Sequence, residues 1–128
     1  MKKILIINSN YYSEISKNLV LNAKKRLRIH KFRLSILEVP GIFEIPIAIR
    51  KNIKKFDGFV ALGCVIKGQT PHFDFISQSS INAIMNLSVD NKKPIGNGII
   101  TCLNLKQAKV RKKKGAEATK AVLSILSQ

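Results

Sequence analysis

Residues 59–74 read FVALGCVIKGQTPHFD and contain the transition that decides the fold. The continuous apolar run 59–66 is typical of a central parallel strand that helices cover on both faces. Gly68 then allows a tight turn, and the following residues predict a helix with Thr70 as N-cap and Pro71 at the first helical position. A buried strand that passes directly into a helix predicts an alternating α/β chain.

The same alternation continues on both sides of this stretch. Apolar runs and period-two patterns predict three more strands, over residues 4–8, 32–39 and 95–103. Helical periodicity predicts helices over residues 15–27, 43–54, 70–89, 104–110 and 116–126. The expected core stripe of the last helix consists of Ala118, Ala121, Val122 and Ile125. This order predicts a parallel sheet with helices on both faces, in which loops 8–12, 40–44, 66–72 and 97–104 meet at the carboxyl ends of the strands.

Length and composition indicate one folded unit. The 128 residues are 45% hydrophobic, which is enough for one packed core, and we expect a single domain over residues 1–128. No apolar run reaches the roughly 18–20 residues that a membrane span needs, and the apolar start is too short for a signal peptide. We therefore expect a cytoplasmic protein with no membrane partner. Cys64 and Cys102 are expected to be free, buried thiols.

The charge balance is unusual, with 23 Lys and Arg against 7 Asp and Glu, a formal net charge of +16. Such a charge often indicates a polyanionic partner. A coding bias toward A- and T-rich codons explains the same excess of lysine without any partner. The lysines are dispersed along the sequence, and aromatic residues make up only 6% of the chain, so stacking platforms for bases are scarce. The sequence therefore favours dispersed, solvated charge, and nucleic acid is not expected as a partner.

The turn at residues 68–72 is a candidate anion site, because free amide groups and the positive end of a helix dipole would face one point there. Neither GxGxxG nor GxxxxGK[ST] is present, so a phosphate on a smaller substrate is a better candidate ligand than a nucleotide. An ordinary helix cap explains the same residues equally well. His72 follows this turn and is the candidate proton carrier. His30 lacks such a setting and is predicted to be a surface residue.

Two further segments carry candidate site residues. Glu44 is predicted in the first turn of a helix, where the helix dipole alone would stabilise it, or where it would accept hydrogen bonds from a polyol or amine. Arg111 and Lys114 lie in the densest basic run, which would equally suit a solvated surface.

Together these segments resemble the lumazine synthase family over nearly the whole chain. The matching motifs are VPGIFEIP at 39–46, GCVIKGQTPHFD at 63–74 and KGAEA at 114–118. The resemblance implies an α/β fold, a three-layer αβα flavodoxin-like sandwich with a four-stranded parallel sheet. It also implies a transferase of riboflavin biosynthesis. Such an enzyme condenses 5-amino-6-(D-ribitylamino)uracil with 3,4-dihydroxy-2-butanone 4-phosphate to 6,7-dimethyl-8-ribityllumazine, releases phosphate and water, and uses no metal or organic cofactor.

The resemblance also implies roles for individual residues. His72 would be the catalytic proton carrier, and Gln69, Thr70 and Arg111 would bind the butanone phosphate. The ribitylaminouracil would contact Tyr11, Ile42, Phe43, Glu44, Cys64, Val65, Ile66, Asn97 and Lys114. The sites would lie between subunits of a homo-pentamer, alone or packed into a sixty-subunit shell.

Three departures from the family pattern affect these roles. Asn97 stands in the fourth-strand loop where the family usually has an aromatic residue, so it can hydrogen-bond the uracil but cannot stack on it. Lys67 replaces an arginine and keeps the charge without the planar fork. The stretch 111–114 is shorter than in most relatives, so Lys112 or Lys113 would be able to take the place of Arg111. The alternative function is a basic polyanion-binding or shell-forming scaffold that keeps the fold without the activity.

Overall fold

A computed structural model describes residues 1–27 and 32–128. Four strands alternate with five α-helices, and a short 3-10 helix at Ile42–Glu44 precedes the second α-helix. The strands are β1 (Lys3–Ser9), β2 (Arg33–Val39), β3 (Gly58–Ile66) and β4 (Ile95–Cys102). The helices are α1 (Ser13–Leu27), α2 (Ile45–Lys51), α3 (His72–Asn91), α4 (Leu105–Val110) and α5 (Lys114–Leu126).

The four strands form one parallel sheet in the order β2-β1-β3-β4. In register, Ile6 of β1 lies beside Ile36 of β2 and Val60 of β3. Because parallel neighbours need crossover connections, the helices pack on the two faces of the sheet. The predicted α/β fold with a four-stranded parallel sheet in a three-layer αβα arrangement is confirmed.

The sheet separates two apolar clusters. Side chains from α1, α4 and α5 pack against one face, where Leu19, Val60 and Val122 are buried. Side chains from α2 and α3 pack against the other face, around Ile49, Phe59 and Ile84. Within the described residues, no helix is long and apolar enough to span a membrane.

Helix α5 lies unusually close to its neighbours because glycines face it. A Cβ atom on Gly96 of β4 would lie 2.2 Å from the Ala118 carbonyl oxygen, and one on Gly115 would lie 2.2 Å from the Leu19 carbonyl oxygen. Real Cβ atoms do not approach backbone oxygen that closely, so any larger residue would displace the helix. The two glycines therefore fix α5 against both the sheet and α1.

Several predicted helix limits differ from the structure. Helix α2 spans only Ile45–Lys51, because Pro46 occupies its first turn and the three residues before it form a 3-10 helix. Helix α3 continues to Asn91, where Lys92 adopts a left-handed conformation with φ of 54°. The predicted stripe of α5 is half wrong: Ala118 and Val122 are buried, whereas Ala121 and Ile125 are exposed.

Candidate active site

Residues of the 39–46 and 63–74 motifs together line a cavity of about 520 Å³ at the carboxyl ends of β1 and β3. We call it the β3 cavity. Ligands of open parallel sheets bind at this end of the strands. Its wall is formed by Tyr11, Tyr12, Pro40, Gly41, Ile42, Phe43, Glu44, Cys64, Val65, Ile66, Gly68, Thr70, His72, Phe73 and Ile76. Three of the four loops that were expected to meet do so here, and the loop after β4 does not.

The last residues of β3 form the wall nearest the sheet. A Cβ atom on Gly63 would lie 2.4 Å from Ile42 Cδ1 and 2.9 Å from Ser9 Cβ, so the absence of a side chain lets Ile42 approach the strand. Cys64 and Cys102 are free and buried, as predicted. Burial, with a contribution from the neighbouring Cys102, raises the pKa of the Cys64 thiol to about 12. Cys64 is therefore a neutral, apolar part of this wall at physiological pH.

Aromatic rings stand at the mouth of the cavity. Tyr11 is 73% exposed and Phe43 is 67% exposed, an unusual exposure for side chains of that size. Tyr12 is half-buried and meets the Tyr11 ring edge-on, with ring centroids 5.0 Å apart. Burial, assisted by the adjacent Tyr11, raises the pKa of Tyr12. The exposed rings leave aromatic faces available to a planar ligand.

Glu44 lies at the junction of the 3-10 helix and α2, where it is the N-cap residue. Its side chain makes no capping hydrogen bond, and its Oε1 lies 3.0 Å from the place that a Cβ on Gly41 would occupy. The carboxylate is half-buried in the cavity wall. The helix-cap explanation of Glu44 is therefore not supported by a hydrogen bond, and its oxygens are available as acceptors.

The turn before α3 differs by one residue from the prediction. Pro71, not Thr70, is the N-cap of α3, and His72 is the first helical residue. The reason is local: the Thr70 hydroxyl accepts a 3.4 Å hydrogen bond from the His72 amide across a tighter turn. Within the described chain, the amides of Gln69 and Thr70 make no backbone hydrogen bond. Thr70 and His72 line the β3 cavity, whereas the exposed Gln69 does not.

Asn97, Arg111 and Lys114 lie elsewhere, in a separate cavity of about 560 Å³ along the edge strand β4, which we call the β4 cavity. The two cavities share no residue. The placement of Asn97 in a loop is wrong: it is the third residue of β4, paired with Ala61, and its Oδ1 accepts a 3.1 Å hydrogen bond from the Ile99 amide. A strand position is imposed here because Gly96 and Gly98 extend the ladder beneath α5.

The basic end of the β4 cavity contains a residue that sequence reasoning left without a role. Arg111 Nη1 donates a 3.2 Å hydrogen bond to the Thr101 carbonyl. Lys114 Nζ lies 3.9 Å from Glu117 Oε2, and both side chains line the cavity. Glu117 belongs to the KGAEA motif itself, so the motif was the signal that could have identified it.

The remaining candidates are the basic residue Lys67, the surface candidate His30 and any metal-binding cluster. Lys67 is exposed, and its amide donates a 2.8 Å hydrogen bond to the Cys102 carbonyl, which joins the ends of β3 and β4. The predicted surface residue His30 lies outside the described residues. Among the residues that the structure describes, no group of three or more His, Cys, Asp or Glu side chains is placed to hold a metal ion.

The fold and the β3 cavity define a parallel α/β protein with a ligand site at the carboxyl ends of its central strands. Its wall of apolar and aromatic side chains, with a few polar groups, is typical of a small-molecule site. The family model described as 6,7-dimethyl-8-ribityllumazine synthase matches residues 1–128. The chain belongs to that family.

Curated relatives agree with this assignment. The 6,7-dimethyl-8-ribityllumazine synthase of Novosphingobium aromaticivorans is 40% identical over 134 residues, covering 99% of this chain and 96% of the relative. That of Bartonella bacilliformis is 43% identical over 116 residues, covering 88% and 76%. That of Methylorubrum populi is 37% identical over 137 residues, covering 98% and 81%.

Proposed function

We propose that this chain is a transferase that forms 6,7-dimethyl-8-ribityllumazine from 5-amino-6-(D-ribitylamino)uracil and 3,4-dihydroxy-2-butanone 4-phosphate, with loss of phosphate and water. It would act in the cytoplasm as a single domain, in the penultimate step of riboflavin biosynthesis. Family membership over residues 1–128 supports the reaction. The observation that carries the proposal is the β3 cavity, which brings together Tyr11, the 42–44 turn, the end of β3 and His72.

The ribitylaminouracil would occupy the side of the cavity nearest β3. The exposed Tyr11 ring would stack on the pyrimidine, and the strand end at Cys64, Val65 and Ile66 would present backbone groups to the edge of that ring. The ribityl hydroxyls would donate to the Glu44 carboxylate, which makes no capping hydrogen bond of its own. Ile42 and Phe43 would cover the apolar part of the ligand.

The butanone phosphate would bind where α3 begins. The unused amides of Gln69 and Thr70, together with the positive end of a 20-residue helix, favour a phosphate there. His72 stands at the first position of that helix, on the cavity wall. It would take a proton from the attacking amine and return one to the oxygen that leaves as water, so that the ring closes without a cofactor.

The site would be completed by a second copy of the chain. Asn97, Arg111 and Lys114 are needed by the family's roles, but they line the β4 cavity and not the β3 cavity. Because the two halves lie on different surfaces, the contact between copies would be heterologous, the type of contact that forms a ring when its rotation closes.

Exposed apolar groups near the β4 edge support this contact. Phe75, Met85 and Val89 on α3 are at least 61% exposed, and Met85 shares an apolar groove of about 390 Å³ with Ala121 and Ile125. A monomer would leave this surface in water. We propose a homo-pentamer, either alone or packed into a sixty-subunit shell, and sedimentation velocity would distinguish the two because their masses differ greatly.

The first experiment is incubation with both substrates while the fluorescence of the lumazine product is followed. We expect product from the complete mixture and only the slow uncatalysed rate from a heat-denatured control. Product formation no faster than that control would contradict the activity.

Mixing two impaired variants, assayed with the butanone phosphate below its KM, tests the shared site directly. His72→Asn damages the β3 half and Arg111→Ala damages the β4 half. If each site joins halves from two copies, co-refolding the variants in equal amounts restores about a quarter of the sites, because a quarter of random contacts pair two intact halves. If both halves served one site within a single copy, every site would keep one damaged half. No gain in activity over the unmixed variants would therefore contradict the shared site.

A further inference from the structure

The fold separates the charges of this chain between the two ends of its sheet. In a parallel α/β unit each helix runs back against the strands, so helix ends and strand starts share one end of the molecule. We call this end the amino-end surface. Its cations are Lys2, Lys3, Lys24, Lys25, Arg26, Arg33, Arg50, Lys51, Lys54, Lys55, Lys92, Lys93 and Lys120.

Few carboxylates oppose these cations. At the same end of the described chain the acidic residues are Asp57 and Asp90, and Asp57 Oδ2 already accepts a 2.8 Å hydrogen bond from the Lys3 amide. The end that carries the β3 cavity is more balanced, because its cations are accompanied by Glu14, Glu38, Glu44, Asp74 and Glu117. Most of the formal +16 charge therefore lies away from the candidate active site.

Helix dipoles and coding bias do not account for this surface. Each helix end carries the equivalent of about half a negative charge, so the ends of α1, α2, α3 and α5 together offset about two cations. A coding bias explains why lysine is abundant, but it has no preference for one end of a sheet. Within the described residues the only ion pair is Lys114–Glu117, at the other end, so none of the amino-end cations is held in an ion pair. Their mutual repulsion is offset only by Asp57 and Asp90.

A cavity in this surface has three cationic residues in its wall. It has a volume of about 360 Å³ and lies between the end of α1 and the second half of α5, with Lys2, Arg26 and Lys120 in its wall. The Nε atom of Arg26 is buried there and has no hydrogen-bond partner. A buried donor without an acceptor is destabilising, and a phosphate at the mouth of this cavity would pair with the exposed ammonium groups of Lys2 and Lys120.

We propose that the amino-end surface binds the phosphate backbone of double-stranded nucleic acid, in addition to the proposed catalytic function at the opposite end. Contacts to the phosphate backbone use cationic side chains and need no aromatic platform on which bases stack. That condition fits this end, where the aromatic residues of the described chain, Phe32, Phe56 and Phe59, are not exposed. An anionic bilayer fits less well, because no aromatic side chain of the described residues is exposed at this end to anchor at a bilayer interface. The exposed apolar side chains of Met1, Val89 and Ile125 at this end make vesicle binding an outcome that the test must include. A nucleic-acid partner was not expected from the sequence, because the lysines are dispersed along it. The fold brings many of them together at one end of the sheet.

The test is fluorescence anisotropy with a labelled DNA duplex of about 20 base pairs, measured from 50 to 200 mM salt. The triple variant Lys25→Gln, Lys54→Gln, Lys55→Gln removes three exposed amino-end charges. The matched control Lys17→Gln, Lys106→Gln, Lys109→Gln removes the same charge from the other end. We expect the first variant to weaken binding at least tenfold and to reduce the slope of log K against log salt by roughly 2 to 3, since each phosphate contact contributes about 0.9. The control should bind like the parent chain.

Three outcomes would overturn the proposal. They are the absence of binding at 50 mM salt, equal loss in both triple variants, which would indicate net charge alone, and tighter binding to phosphatidylserine vesicles than to the duplex. Lumazine formation is measured on both variants in parallel and should be unchanged. Failure of nucleic-acid binding can therefore be distinguished from failure of the proposed catalytic function.

Discussion

Gly63→Ala tests whether the contact between β3 and the 42–44 turn positions the candidate site. The added Cβ would lie 2.4 Å from Ile42 Cδ1 and 2.9 Å from Ser9 Cβ, whereas carbon atoms in contact are normally about 3.5–4.0 Å apart. Ile42 would therefore have to move by roughly 1 Å, away from the strand and into the cavity that it lines. Overpacking of this kind costs about 1–3 kcal/mol of folding free energy. We also expect a higher KM for the ribitylaminouracil.

The double variant Gly63→Ala, Ile42→Val identifies the responsible atom. Valine lacks the Cδ1 atom that the new methyl group meets, and Ile→Val alone costs about 0.5–1.5 kcal/mol. We expect the double variant to lose about 0.5–2 kcal/mol less folding free energy than the two single variants lose together, since residues in contact couple in that range. The rescue is partial because Ser9 Cβ remains in place.

Urea unfolding at one fixed protein concentration measures these free energies, because assembly makes the midpoint depend on concentration. Steady-state kinetics on the same preparations report KM. Effects that add to within about 0.3–0.5 kcal/mol, or a Gly63→Ala variant as stable as the parent, would falsify the contact as described.

Three further predictions concern single side chains. His72→Asn should slow turnover toward the low end of roughly 10²–10⁴-fold with both substrates still bound, measured in single-turnover lumazine formation; a parent-like rate would remove His72 as the proton carrier. Arg111→Ala should raise the KM for the butanone phosphate about tenfold and leave that for the ribitylaminouracil unchanged, with Lys112→Ala as the comparison, and inorganic phosphate should compete with the former substrate only. Cys64 should react with iodoacetamide at pH 8 about a thousandfold more slowly in the folded chain than in urea, because a thiol with a pKa of about 12 forms little thiolate. Mass spectrometry of the Cys64 peptide measures the rate of alkylation, and equal rates in the folded chain and in urea would contradict this.

The elements that the sequence predicts best are those that are buried on both faces. The continuous apolar run at residues 59–66 differs from β3 by one residue. In α1, Ile15, Leu19 and Ala23 lie at helical spacing and are all buried. These patterns can be seen in the sequence because buried positions of a strand or helix are occupied by apolar residues.

The predictions that failed depend on neighbours that are distant in sequence. Ala121 and Ile125 continue the helical period of α5, but the sheet ends at β4 and leaves them exposed. The predicted strand over residues 95–103 contains Asn97 and is confirmed by β4, whereas the loop position that the family resemblance gave Asn97 is wrong. Its neighbours Gly96 and Gly98 are required where α5 packs on the strand. The division of the candidate site into two cavities also follows from the strand order, which local patterns do not specify.

The close packing of α5 limits how this chain can change over generations. Insertions or deletions directly after Arg111 change the length of an exposed connection without altering the packing of α5 on the sheet. A replacement of Gly96 or Gly115 would instead push the helix off its supports and carry Lys114 and Glu117 with it. Related chains can therefore differ in the length of the connection that precedes α5, whereas Gly96 and Gly115 must stay glycine to keep α5 in its position on the sheet and on α1.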